Sequence, residues 1–182
     1  MTTTNPLRSL PFRGLGGQPP FETDDLEHFV AQRRIATLAY VRRDGRPNQA
    51  PIWYTVDNGV FFMSTVTGGA KHRALERSPQ VSLSIQDERP PYRAVIIDGT
   101  AELASLDPDD DPTAGMAVRY FGKVAAATYD RMTKEVYEKS GLTIITVVPT
   151  DIKGFDNTHA LNTGERAFTR VRELLPIPRR WL

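Results

Sequence analysis

Residues 35–65 read IATLAYVRRDGRPNQAPIWYTVDNGVFFMST, and the punctuation of this stretch decides the fold. Ile35–Val41 is apolar and β-branched, and Asp44-Gly45 closes it with a turn signal. Asn48–Val56 is a second run, ended by Asp57-Asn58-Gly59, in which Asn-Gly is a strong hairpin signature. Val60–Thr65 is a third. Toward the C-terminus, Gly68-Gly69 breaks that run and Ala70–Arg77 reads as a short helix. Gln80–Gln86 then alternates Val81, Leu83 and Ile85 against Ser82, Ser84 and Gln86, the pattern of a half-buried strand. After Arg89-Pro90-Pro91, Arg93–Leu103 predicts a long strand bent at Gly99. Asp107–Pro112 is a loop, and Thr113–Ser140 is helical, interrupted at Gly122 and stopped by Gly141. Leu142–Val148 is a sixth strand, followed by Pro149.

Toward the N-terminus, Thr23 is an N-cap candidate, and Leu26, Phe29 and Val30 form one apolar face of a short helix. Residues 1–22, rich in Pro and Gly, predict a flexible arm. Order is expected over 23–156, with 157–182 a C-terminal extension carrying Arg166, Arg170, Arg172, Arg179 and Arg180. Consecutive antiparallel strands with few helices predict a mainly β (α+β) chain closed into a small barrel.

With 182 residues the chain is expected to be one domain. Lys+Arg number 23 against 22 Asp+Glu, a net charge of +1 that gives no field to draw the whole molecule onto nucleic acid or acidic membrane. Cysteine is absent, which removes disulfides, thiolate metal sites and thiol nucleophiles together and suits a reducing cytosol. The longest apolar runs fall far short of the ~18 residues that span a bilayer. Arg8, Pro11 and Arg13 interrupt any signal-peptide core, so a cytoplasmic location is expected.

Several chemistries fail on inventory. His28, His72 and His159 lie far apart, with no His-Glu-x-x-His spacing and no locatable carboxylate ligands, so no metal is expected. No Gly-x-Ser-x-Gly elbow is present. Asp107, Asp109 and Asp111 mimic a calcium loop, but Pro112 and Val118 stand where glycine and a bidentate Glu belong.

The informative stretch is 64–73, STVTGGAKHR. It is not a Walker loop, since Ala70 precedes the lysine and His72 follows it. It still has the parts of a phosphate cradle. Ser64 and Thr65 bring hydroxyls, Gly68 and Gly69 allow close backbone approach, and a helix then begins with its positive end toward an anion. Lys71 and Arg73 add full charges on the first turn, where cations are otherwise disfavoured.

Arg34-Ile35-Ala36-Thr37-Leu38, Asp44-Gly45-Arg46-Pro47, Pro51-Ile52-Trp53, Lys71-His72-Arg73-Ala74-Leu75 and Arg89-Pro90-Pro91-Tyr92, in this order, resemble the pyridoxamine-phosphate-oxidase-like flavin and deazaflavin oxidoreductases. Gly99-Thr100-Ala101-Glu102-Leu103 and Arg119-Tyr120-Phe121-Gly122 fit the same pattern, which covers residues 24–155. The resemblance implies a six-stranded split barrel that forms a homodimer, with cofactor grooves at the subunit interface. It implies that Ser64, Thr65, Ala70, Lys71 and Arg73 surround the cofactor phosphate. Asn48, Gln49, Ala50 and Pro51 would line the ring system, and Tyr92 would close over it from the other subunit. For Pro51 and Trp53 ordinary barrel packing is the competing reading, and for Tyr92 a rim aromatic beside a Pro-Pro turn.

The Gly-x-Ala-Lys-x-Arg and Arg-Pro-Pro-Tyr motifs resemble most the members using coenzyme F-420, with FMN the alternative. The C-terminal Arg-x-His motif of true pyridoxamine-phosphate oxidases is absent, which argues against vitamin B6 oxidation. With no protein nucleophile in view, the expected chemistry is hydride transfer between the cofactor and a small unsaturated substrate. Two other readings remain: a barrel that carries haem or a flavin without turnover, and RNA binding by the arginine-rich tail. The tail reading is disfavoured because Glu165, Glu173 and prolines dilute its charge.

Overall fold

The computed structural model describes residues 4–17, 20–158, 161–165 and 167–168. In chain order these form α1 (Pro6–Ser9), β1 (Phe12–Gly14), α2 (Thr23–Ala31), β2 (Ala36–Val41), β3 (Pro47–Ile52), β4 (Thr55–Asp57), β5 (Val60–Val66), α3 (Ala70–Arg77), β6 (Gln80–Gln86), β7 (Arg93–Ser105), α4 (Met116–Phe121), α5 (Lys123–Ser140) and β8 (Leu142–Asp156).

The strands build one eight-stranded sheet of order β3-β2-β6-β7-β8-β5-β4, antiparallel throughout except for β1, which pairs in parallel with β8. The mainly β class follows the sequence pattern, but the six-stranded closed barrel does not. The sheet has eight strands, and no ladder joins its ends, β3 and β4. Two local causes account for the extra strands. The expected second strand, 48–56, divides at Trp53-Tyr54, because Tyr54 turns fully into the core and donates its hydroxyl to the Val30 carbonyl at 2.8 Å. Its halves then pair on opposite edges, β3 with β2 and β4 with β5. Two residues connect those edges, so Ile52 and Thr55 lie within about 11 Å along the chain, and the open sheet must curl back on itself.

The other extra strand lies in residues 1–22, where a flexible arm was expected; α1 and β1 form there instead. Asn5 caps α1, accepting from the Leu7 amide at 2.9 Å, with Pro6 at the favoured first helical position. Leu7 is buried, and Arg8 pairs with Asp24 and Glu27 of α2. The cap of α2 is Glu22 rather than Thr23.

β7 and β8 are long and carry a bulge after Asp98, where Gly99 faces Pro149. A Cβ at Gly99 would lie 2.6 Å from the Val148 carbonyl oxygen, so glycine is required there. The bulge also lets β8 continue through Pro149, the expected end of the sixth strand, to Asp156. Alternating residues of the strands, among them Leu38, Phe61, Leu83, Ile97 and Ile145, meet Leu26 and Phe29 of α2 in one core. Each such side chain contributes roughly 1.5–3 kcal/mol by leaving water.

Among the described residues no helix is long and apolar enough to cross a membrane. His159 and the tail residues Arg166, Arg170, Arg172, Arg179 and Arg180 lie outside the described residues.

Candidate functional site

β5 ends in Ser64-Thr65-Val66, and the chain turns through Gly68, whose φ of +69° lies in the left-handed region that favours glycine. Gly69 then begins α3 without a side-chain cap, so the first-turn N–H groups receive no internal acceptor from a side chain. Ala74 and Leu75 bury the helix's apolar face and fix its direction.

Above this junction opens a cleft of about 470 Å³. β5 contributes Ser64, Thr65 and Val66, α3 contributes Lys71, and the β3 end contributes Pro51 and Ile52, followed by Trp53. Ile35, Met116, Tyr129, Tyr137 and Leu142 complete the lining. No carboxylate, imidazole or amide side chain is among these residues, and Lys71 is their one formal charge. Burial pulls the Lys71 ammonium below its ordinary value of 10.5, and no carboxylate pairs with it among the described residues. A desolvated cation without a counter-ion, beside two hydroxyls and an uncapped helix start, fits an anionic group such as a phosphate.

The sequence-derived residues divide on placement. Pro51, Ser64, Thr65 and Lys71 come together in the cleft. Arg73 instead donates to the Gly68 carbonyl and braces the turn, and Ala70 is exposed at the start of α3. Asn48, Gln49 and Ala50 lie along edge strand β3, outside the lining, with Asn48 Nδ2 donating to the Tyr40 hydroxyl at 2.8 Å. Tyr92 is half exposed, away from the cleft of its own chain.

Sequence reasoning missed the aromatic wall. Trp53 stacks on Tyr120 at 4.9 Å and 7°, meets Phe121 edge-on at 4.8 Å and lies 5.1 Å from Tyr129. Tyr120 holds this arrangement, its hydroxyl donating to the Arg34 carbonyl at 2.6 Å and accepting from the Tyr54 amide at 3.2 Å. The Tyr129 and Tyr137 hydroxyls are 2.8 Å apart. Their eight-residue separation on a helix was the available signal, but it is weak without knowing which helix face meets the sheet.

A second hollow of about 520 Å³ adjoins the cleft through Ile35. Arg33, Arg34 and Arg89 line it, and Arg34 is committed to internal partners, namely Asp87 at 2.6 Å, Gln32 at 2.6 Å and the Phe29 carbonyl at 2.8 Å. The other oxygen of Asp87 accepts from Arg93 at 2.7 Å. Arg34 and Asp87 thus brace one wall of this hollow.

A family model described as pyridoxamine 5'-phosphate oxidase matches residues 22–155. No curated protein matches. Among solved structures, the chain is similar to the conserved hypothetical protein Rv2991 from Mycobacterium tuberculosis, with 22% identity and a TM-score of 0.65 over 82% of this chain and 94% of that one. It is similar also to HutZ, the heme storage protein of Vibrio cholerae, with 16% identity and a TM-score of 0.51 over 73% and 92%. A structure named F420 reductase aligns at 26% identity over 69% of this chain and 94% of that one, with a TM-score of 0.49.

Proposed function

Since the chain belongs to the pyridoxamine 5'-phosphate oxidase family, we propose that it is an oxidoreductase that binds a phosphate-bearing flavin-type cofactor in the β5–α3 cleft. The cofactor of the reading is coenzyme F-420, with FMN the alternative, and the reaction transfers hydride to a small unsaturated substrate. The observation that carries it is Lys71, half-buried beside Ser64 and Thr65 with no carboxylate partner among the described residues. The preference for F-420 rests on the motifs 68–73 and 89–92. The functional unit is a homodimer, in which Tyr92 of the partner subunit covers the bound ring.

When bound, the cofactor supplies the hydride-transfer chemistry that the side chains lack. Lys71, Ser64 and Thr65 neutralise and hydrogen-bond its phosphate, aided by the first-turn amides of α3. Trp53, fixed by Tyr120, and the apolar lining keep water from the ring. HutZ, with the same fold, stores haem, and a carrier role is the competing reading.

The test is absorbance and mass spectrometry of the small molecule released from purified protein, followed by titration with F-420 and FMN. Saturable binding of either supports the reading; binding of haem alone overturns it. The Lys71 shift adds a pH signature. An anionic phosphate favours the charged lysine, so ligand binding takes up a proton as pH approaches the lowered Lys71 value. Affinity is expected to hold at neutral pH and to fall as pH rises toward 10.5. In Lys71→Arg that fall is expected to disappear, because arginine stays charged. Isothermal titration across this range checks both statements.

A further inference from the structure

The polar groups of the cleft differ in kind. Ser64, Thr65 and Lys71 place a cation and two hydroxyls at the β5–α3 junction, whereas Tyr129 and Tyr137 on α5 are neutral. Eight residues is a little over two helical turns, so both rings sit on one side of α5. Two phenols hold two O–H protons, and only one lies between oxygens 2.8 Å apart. The second has no acceptor among the described residues. Burial and the neighbouring Tyr137 hydroxyl push the Tyr129 phenol above its ordinary value of 10.0, so it remains a donor at physiological pH. Trp53 at 5.1 Å and Phe121 at 5.4 Å from Tyr129 give the pair an aromatic surround. A neutral donor in such a surround suits an uncharged acceptor oxygen on a flat ligand, while an anion is drawn to Lys71.

We infer that the Tyr129–Tyr137 pair, with Trp53 beside it, is a subsite for the carbonyl oxygen of an uncharged aryl or conjugated ketone, the second ligand of the cleft. The inference rests on the cofactor reading, which assigns Ser64, Thr65 and Lys71 to the phosphate.

The experiment compares two probes, 1-acetonaphthone and 1-ethylnaphthalene, in which a CH₂ replaces the carbonyl. Each is titrated by ligand-observed NMR into full-length protein with F-420 or FMN bound. The ketone is expected to bind roughly tenfold tighter than the hydrocarbon, the scale of one hydrogen bond. In the Tyr129→Phe/Tyr137→Phe double variant that ratio is expected to fall to about one. Hydrocarbon affinity is expected to stay unchanged there, which also shows that the variant is folded. A wild-type ratio near one, or a ratio that survives the double substitution, overturns the subsite. Cofactor affinity is measured on the same samples. Failure of wild-type protein to bind either cofactor overturns the cofactor reading and the inference resting on it, whereas cofactor binding without a ketone preference overturns the subsite alone.

Discussion

Lys71→Ala is expected to weaken binding of F-420 and FMN by roughly 10- to 150-fold while leaving the fold intact. The magnitude is that of a charge-assisted hydrogen bond, about 1.5–3 kcal/mol, converted to a ratio of dissociation constants. The direction follows from the cleft's composition: Lys71 is the one charged residue in the lining, so no neighbour substitutes for it. Stability is expected to hold or rise slightly, because the side chain is partly desolvated and pairs with no carboxylate among the described residues. Lys71→Met retains most of the apolar stem and separates loss of charge from loss of packing. Calorimetric titration beside a thermal melt reads both quantities. An affinity unchanged in both variants would remove phosphate binding from this junction.

The largest expected loss of stability comes from Asp87→Ala, about 3 kcal/mol. The carboxylate sits between two arginines, Arg34 at 2.6 Å and Arg93 at 2.7 Å, whose side chains are only 12% and 28% exposed. Both guanidinium groups also lie over the Phe29 ring, at 3.9 and 4.9 Å from its centroid. Removing the anion leaves two largely desolvated cations beside one apolar ring, without the group that pairs with both. The melting point is expected to fall by roughly 6–12 °C for a chain of this size. In urea the midpoint is expected to drop with little change in slope. Asp87→Asn keeps acceptor oxygen without charge and is expected to fall between the two. A midpoint within experimental error of wild type would show that the pairs contribute nothing beyond geometry.

Asp87 also illustrates what sequence can and cannot give. The strand pattern was legible because alternation and Asn-Gly or Asp-Gly turns are local properties. β6 coincides with the expected 80–86, and α3 with 70–77. The split of 48–56 was not legible, because the break at Trp53-Tyr54 has no glycine or proline within it. It comes from Tyr54 reaching Val30 across 24 positions. The α1 and β1 elements within residues 1–22 were not legible, because composition averaged over Pro and Gly hid an Asn-Pro helix start and the buried Leu7. The cleft was half visible. Ser64, Thr65 and Lys71 lie within eight residues and announce themselves by chemistry. Trp53, Tyr129 and Tyr137 converge only after the sheet has curled and α5 has been laid against it.

The two-residue link between β3 and β4 restricts how this chain can vary. Loops elsewhere, such as 106–112, join their neighbours with slack and can accept extra residues at little entropic expense. Trp53 and Tyr54 have no slack. Successive side chains there serve opposite sides, one facing the cleft and one filling the core. A single inserted residue would exchange those sides, exposing Tyr54 and pointing Trp53 inward. The width of the cleft and the curl of the open sheet are therefore one dimension. A descendant sequence can change what the cleft recognises by replacing side chains, but not by lengthening its seam.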